Sequence, residues 1–138
     1  MNVRLLSLSL IAATGLAGCG ASEPAAPPPP PPTEVAAVKT PPPQYPLELA
    51  CMGVGGTSTF KVTIGTDGKP SEVALLTGAG NPQLDELAKT AVQGWQFNAA
   101  TRNGQPVPAT IQVPVSFNPP QPKPDQCFAI EERLRRGG

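Results

Sequence analysis

Apolar and polar residues follow distinct regimes along the chain. Leu5 to Ala13 is an apolar run interrupted only by Ser7 and Ser9, with Arg4 as a positive start before it. The run is too short to span the ~30 Å of a bilayer core and ends among small residues, so residues 1–18 read as a secretion signal. From Ala21 to Pro46 the chain is rich in Pro and Ala, with unbroken proline runs at Pro27–Pro32 and Pro41–Pro43. Proline is excluded from helix and sheet interiors, and large apolar side chains are scarce here. Residues 19–44 therefore read as a spacer, either a disordered tether or a semi-rigid polyproline stalk rising ~3.1 Å per residue.

Periodicity appears after Tyr45. Thr59-Phe60-Lys61-Val62-Thr63-Ile64 alternates with period two, placing Phe60, Val62 and Ile64 on one face of a strand. Asp67-Gly68 supplies a tight turn, and Val73 and Leu75 continue an apolar face on a second strand, predicting an antiparallel hairpin. A helix follows, with Asn81 as N-cap, Pro82 at its first position, and Asp85 and Glu86 near its positive end. Leu84, Leu87, Ala88, Ala91, Val92 and Trp95 form its apolar stripe, and Glu86, Lys89 and Gln93 its polar face. After another turn signal at Asn103-Gly104, Ile111, Val113, Val115 and Phe117 alternate with Thr110, Gln112, Pro114 and Ser116. Proline lacks a ladder donor, so this third strand is expected at a sheet edge with Pro114 facing the open side. The order β-β-α-β predicts an α+β domain over residues 45–118, a three-stranded antiparallel sheet covered by one helix with short flanking helices. Residues 119–138 read as a Pro-rich turn and a short C-terminal helix. In that helix Asp125 is the expected N-cap, Glu131–Arg135 and Glu132–Arg136 the i,i+4 pairs, and Ile130 and Leu134 the inward residues.

Charge and composition narrow the function. Ten basic and ten acidic residues balance to a net charge of zero, which argues against a nucleic-acid partner needing a basic surface. The 138 residues contain no histidine, which removes the commonest general base and metal ligand together. The serines lack a base partner and no acids are arranged for catalysis, so no enzyme, metal site or cofactor is expected.

Leu16-Ala17-Gly18-Cys19 resembles the lipobox of bacterial lipoproteins. That resemblance implies cleavage before Cys19, acylation of its thiol and new amine, and anchoring by several acyl chains. Gly20, where Asp would suggest inner-membrane retention, mildly favours delivery to the outer membrane.

The stretch from Tyr45 to Phe117 resembles the C-terminal domain of the TonB family of periplasmic energy transducers. The matching residues are Tyr45-Pro46 with Ala50, Gly56, Asp67-Gly68, Leu84-Asp85 with Ala88, Trp95-Gln96-Phe97, Asn103-Gly104-Gln105-Pro106-Val107 and Val113-Pro114-Val115-Ser116-Phe117. The chain departs from the family pattern at Gly78-Ala79-Gly80, Gln96 and Ala99, and it lacks the histidine-bearing retained span that couples TonB to its motor. The resemblance implies a receptor-facing adapter in TonB-type transport. It also implies that an envelope protein, foremost an outer-membrane receptor, adds a strand along Gln112, Val113, Pro114, Val115 and Ser116. The alternative is a structural envelope lipoprotein that binds peptidoglycan or a secretion component.

With Cys19 assigned to the lipid, Cys51 and Cys127 remain as an even pair in an oxidising compartment. A disulfide closing almost the whole domain is the expected state, against two free buried thiols or a metal pair.

Overall fold

The computed structural model describes residues 24–137 together with Gly15, Gly18 and Gly20. Most of the signal segment, and Cys19 itself, lie outside the described residues. The elements in chain order are β1 (Ala36–Lys39), α1 (Leu47–Cys51), β2 (Gly56–Ile64), β3 (Pro70–Thr77), α2 (Pro82–Gln93), β4 (Gln96–Asn98), β5 (Ala100–Arg102), β6 (Gln105–Val107), β7 (Ala109–Phe117) and α3 (Gln126–Arg136).

The main sheet is antiparallel with strand order β3-β2-β7, so the first strand of the expected hairpin is central. Its alternation works as the pattern demands: Phe60, Val62 and Ile64 are fully buried, facing α2. At the hairpin, Gly65 N–H donates to Lys69 O at 2.9 Å, and Lys69 N–H to Asp67 Oδ1 at 3.1 Å. Gly68 is required here. Its φ is +78°, and an added Cβ would lie 2.0 Å from the Phe97 carbonyl oxygen, which belongs to β4.

Helix α2 starts as the sequence predicts. Asn81 is extended at φ −137°, and its Oδ1 accepts from Gln83 N–H at 2.9 Å and from Leu84 N–H at 3.4 Å. Leu84, Ala88 and Val92 are buried to zero exposure against β2, β3 and β7 residues, with Leu87 at the margin. Trp95 lies beyond the helix end, after Gly94, and is half-buried. The core is completed by Leu49, Phe97, Val113, Val115 and Phe117. Tyr45 meets Phe117 edge-on, ring centroids 5.3 Å apart, and its hydroxyl donates to Val54 O at 2.7 Å. Desolvation pushes the Tyr45 phenol up from its ordinary value.

Several local expectations are corrected. The Asn103-Gly104 turn is flanked by two short strands, β5 and β6, which pair with each other; Asn103 and Gly104 both take positive φ, +53° and +75°. Leu75, expected on a buried face, is half-exposed like its neighbour Leu76, because β3 is the sheet's outer strand and its pairing shifts register between Thr59 and Phe60. In α3 the Asp125 side chain makes no capping bond, and Leu134 is exposed rather than packed. Glu131 pairs with Lys123 in place of Arg135, while Glu132 binds both Arg135 at 3.2 Å and Arg136 at 3.0 Å.

The expected Cys51–Cys127 disulfide is formed, with Cα atoms 5.2 Å apart and both residues fully buried. It joins α1 to α3 within a small second cluster that includes Ile130 and Leu47.

The Pro-rich spacer is only partly free of the domain. Ala36–Lys39 pairs antiparallel with β4, and Thr33 bridges to Thr101 on β5. The Trp95 indole N–H donates to Pro41 O at 2.8 Å, and Val35 packs on the core margin. The sequence gives no period in Ala-Ala-Val-Lys, so pairing with β4 is a tertiary effect.

Candidate functional site

Strand β7 carries the residues that the sequence singles out. Its register with β2 runs from Gly56↔Phe117 to Ile64↔Ala109 without a shift, through Thr59↔Pro114. Among the described residues β7 pairs with β2 alone, so its other side is a free edge. Val113 and Val115 are buried in the core; Gln112, Pro114 and Ser116 are exposed on the opposite face. Of the five expected contact residues, the two valines therefore have their side chains in the core, and only Gln112, Pro114 and Ser116 present side chains on the outer face. Cross-strand hydroxyl pairs, Thr57–Ser116 at 2.9 Å and Thr63–Thr110 at 3.3 Å, fix the outer face of the β2–β7 pair.

Residues two apart on a strand direct their backbone groups to the same side. Gln112, Pro114 and Ser116 form one such set, and Val113 and Val115 the other. An unbroken ladder is retained past a proline when the ring nitrogen faces away from the neighbouring strand. With Pro114 so turned, the N–H and C=O groups of Gln112 and Ser116 and the C=O of Pro114 point to the open edge.

The opposite edge, β3, differs in character. It exposes Leu75 and Leu76 side by side, about half of each accessible. The sequence puts Leu75 on an apolar strand face with Val73, and alternation alone does not reveal how far a helix covers an outer strand. Cys51 and Cys127 lie in the second cluster between α1 and α3. Among the described residues, no cluster of three His, Cys, Asp or Glu side chains is placed to hold a metal, and no helix is long and apolar enough to cross a membrane.

An antiparallel three-stranded sheet with one helix across a face defines a small α+β domain. Residues 41–119 match the family described as Gram-negative bacterial TonB protein C-terminal, and the chain belongs to that family. Over 75 residues it is 35% identical to Protein TonB of Xanthomonas campestris pv. campestris (strain B100), covering 54% of this chain and 34% of that protein. It is 34% identical over 75 residues to Protein tonB2 of Pseudomonas aeruginosa, covering 28% of that protein. Protein TonB of Vibrio cholerae serotype O1 is 29% identical over 75 residues, 31% of its length. The matched region thus spans about a third of these relatives. A solution NMR structure of the Pseudomonas aeruginosa TonB CTD covers 66% of this chain and 90% of that one, with 21% identity and a TM-score of 0.49.

Domains of this family are non-catalytic adapter modules. The family also corrects one expectation. TonB proteins are periplasmic domains typically tethered to the inner membrane, so the outer-membrane lipoprotein placement drawn from Gly20 does not stand.

Proposed function

We propose that this domain is an envelope adapter in TonB-type transport, pairing the free edge of β7 with an extended segment of a partner protein, foremost an outer-membrane receptor. Family membership supports the general adapter role. The observation that carries the finer reading is the geometry of β7: nine residues long, in continuous register with β2, with one neighbour among the described residues.

The energetics suit a reversible contact. Each added backbone hydrogen bond contributes a net ~0.5–1.5 kcal/mol, and Pro114 supplies an acceptor but no donor. The edge offers donors at Gln112 and Ser116, so strand addition yields a modest affinity that the partner's side chains must raise and specify. The missing donor also makes the edge a poor template for indiscriminate pairing. Acylation of Cys19 is part of this proposal, as the membrane tether for the adapter.

Amide NMR of the full chain tests it. Peptides copied from the extended periplasmic segments of outer-membrane receptors should shift resonances concentrated between Thr110 and Phe117. Shifts confined to the Arg133–Arg136 end of α3, or appearing only with peptidoglycan fragments, would overturn receptor augmentation in favour of a cell-wall role.

A further inference from the structure

The segment Thr33–Pro41 lies almost wholly before the matched family region, which begins at residue 41, yet it is laid down on the domain. Its attachments form a short chain of polar contacts. Thr33 and Thr101 exchange two backbone bonds, at 3.1 and 3.0 Å, and their hydroxyls meet at 2.8 Å. Glu34 approaches Arg102 at 3.8 Å, β1 pairs with the three residues of β4, and the Trp95 indole holds Pro41 O. Almost nothing apolar supports this. All four β1 residues are exposed, Val38 to 59%, and Val35 alone reaches the core margin. The β1–β4 register also slips between Ala37 and Lys39.

Segments with exposed backbone bonds and little buried apolar surface open at far lower free energy than the core to which they are attached. Strand β4 is different: Phe97 is buried and its N–H donates to Gly68 O at 2.9 Å, so β4 stays with the domain when β1 leaves. We propose that Thr33–Pro41 is a detachable strap, which in its docked state covers the outer edge of β4 with a strand from this same chain. When it is released, β4 becomes a second strand-accepting edge. The free Pro-rich tether also lengthens by the nine residues of the strap, which add about 28 Å at polyproline rise. The strap thus couples reach to edge exposure: a domain that extends furthest from its tether is the one with β4 uncovered. This does not involve β7 and stands or falls separately from the receptor reading.

Hydrogen exchange of the full chain, resolved by residue, is the first test. The amides of Ala36–Lys39 and Thr33 should exchange at least tenfold faster than those of β2 and β7 while the domain remains folded. The second test combines Thr33→Pro, which removes the N–H bound to Thr101, with Trp95→Phe, which keeps a ring on the core but removes the donor to Pro41. Spin labels at Ala26→Cys and Lys89→Cys, with the native disulfide intact, should give a narrow distance distribution in the parent chain and a longer, broader one in the double variant. In that variant a free peptide with the sequence of residues 33–41 should shift the β4 amides, and the unlabelled parent chain should resist it. Exchange of the β1 amides in step with β2, or an unchanged label distance in a folded variant, would overturn the strap. If Thr33→Pro unfolds the chain, Trp95→Phe alone must still accelerate β1 exchange, and failure to do so has the same consequence.

Discussion

The Ser58 hydroxyl, fully buried on the central strand, donates to Asp85 Oδ1 in the first turn of α2 at 2.7 Å. The same carboxylate oxygen accepts from Ala79 N–H at 2.8 Å, so one atom ties β2, the β3–α2 connection and the helix together. Asp85 also sits where the helix dipole favours negative charge. Replacement by Ala strands a buried hydroxyl and a backbone donor. Asp85→Ala should therefore cost about 2–3 kcal/mol in urea unfolding, and Ser58→Ala, which removes the buried donor as well as its bond, about 1 kcal/mol. Equal effects for the two variants would show that the carboxylate is not the shared anchor.

Gly68→Ala should be among the most damaging changes at any turn of the fold, because Gly68 is buried beneath β4. A Cβ there meets the Phe97 carbonyl at 2.0 Å, and the +78° φ adds a left-handed penalty. Left-handed φ alone costs roughly 1–2 kcal/mol, so a loss above that range in thermal or urea unfolding is expected from the combined effects. A loss below 1 kcal/mol would mean the hairpin and β4 can part freely.

The Cys51–Cys127 bond closes a separation of 76 residues around the family domain, with Cys127 beyond its matched end. Reduction, or Cys127→Ser, should lower stability by about 2–4 kcal/mol. The effect should be uneven. Because α3 rests on a cluster of few side chains, protease cleavage should appear first around residues 119–125 while the sheet remains intact.

The edge hypothesis predicts opposite sensitivities for alternate residues of β7. Gln112→Pro and Ser116→Pro each delete a donor aimed at the open side, so partner binding should disappear while far-UV circular dichroism is kept. Val113→Pro deletes a donor bound to β2 and should unfold the sheet instead. Loss of fold in all three would show that the open side had been assigned to the wrong set.

Cys19 lies outside the described residues, and its acylation is testable directly. Mass spectrometry of the membrane fraction should recover an N-terminal, lipid-modified Cys19, and Cys19→Ser should release the chain from membranes. An unmodified Cys19 in membrane-bound protein would require another anchor.

Elements whose own residues carry a period or a cap were legible in the sequence. Phe60, Val62 and Ile64 mark β2, Asn81-Pro82 marks the start of α2, and Val113, Val115 and Phe117 mark β7, all with side chains buried as the pattern requires. Elements stabilised from outside were not. Ala36–Lys39 is a strand because β4 offers an edge, and β5 and β6 are three residues each, shorter than any window in which alternation can be counted. The candidate edge was legible for a similar reason: Pro114 is a local statement about hydrogen bonding, independent of what lies nearby. The exposure of Leu75 and Leu76 was hidden because it depends on where α2 ends its coverage of the sheet.

Trp95 is the chain's single tryptophan, and it stands where the strap, the end of α2 and β4 converge. Its ring lies 6.4 Å from that of Phe97, and its indole N–H is engaged by the Pro41 carbonyl. The molecule therefore carries a native optical gauge at its most changeable junction. Undocking of the strap wets the indole and should move its emission to the red, whereas events confined to β7 should leave the spectrum still. Reach and receptor engagement can thus be followed in one unlabelled sample, the first by colour and the second by anisotropy of a labelled peptide.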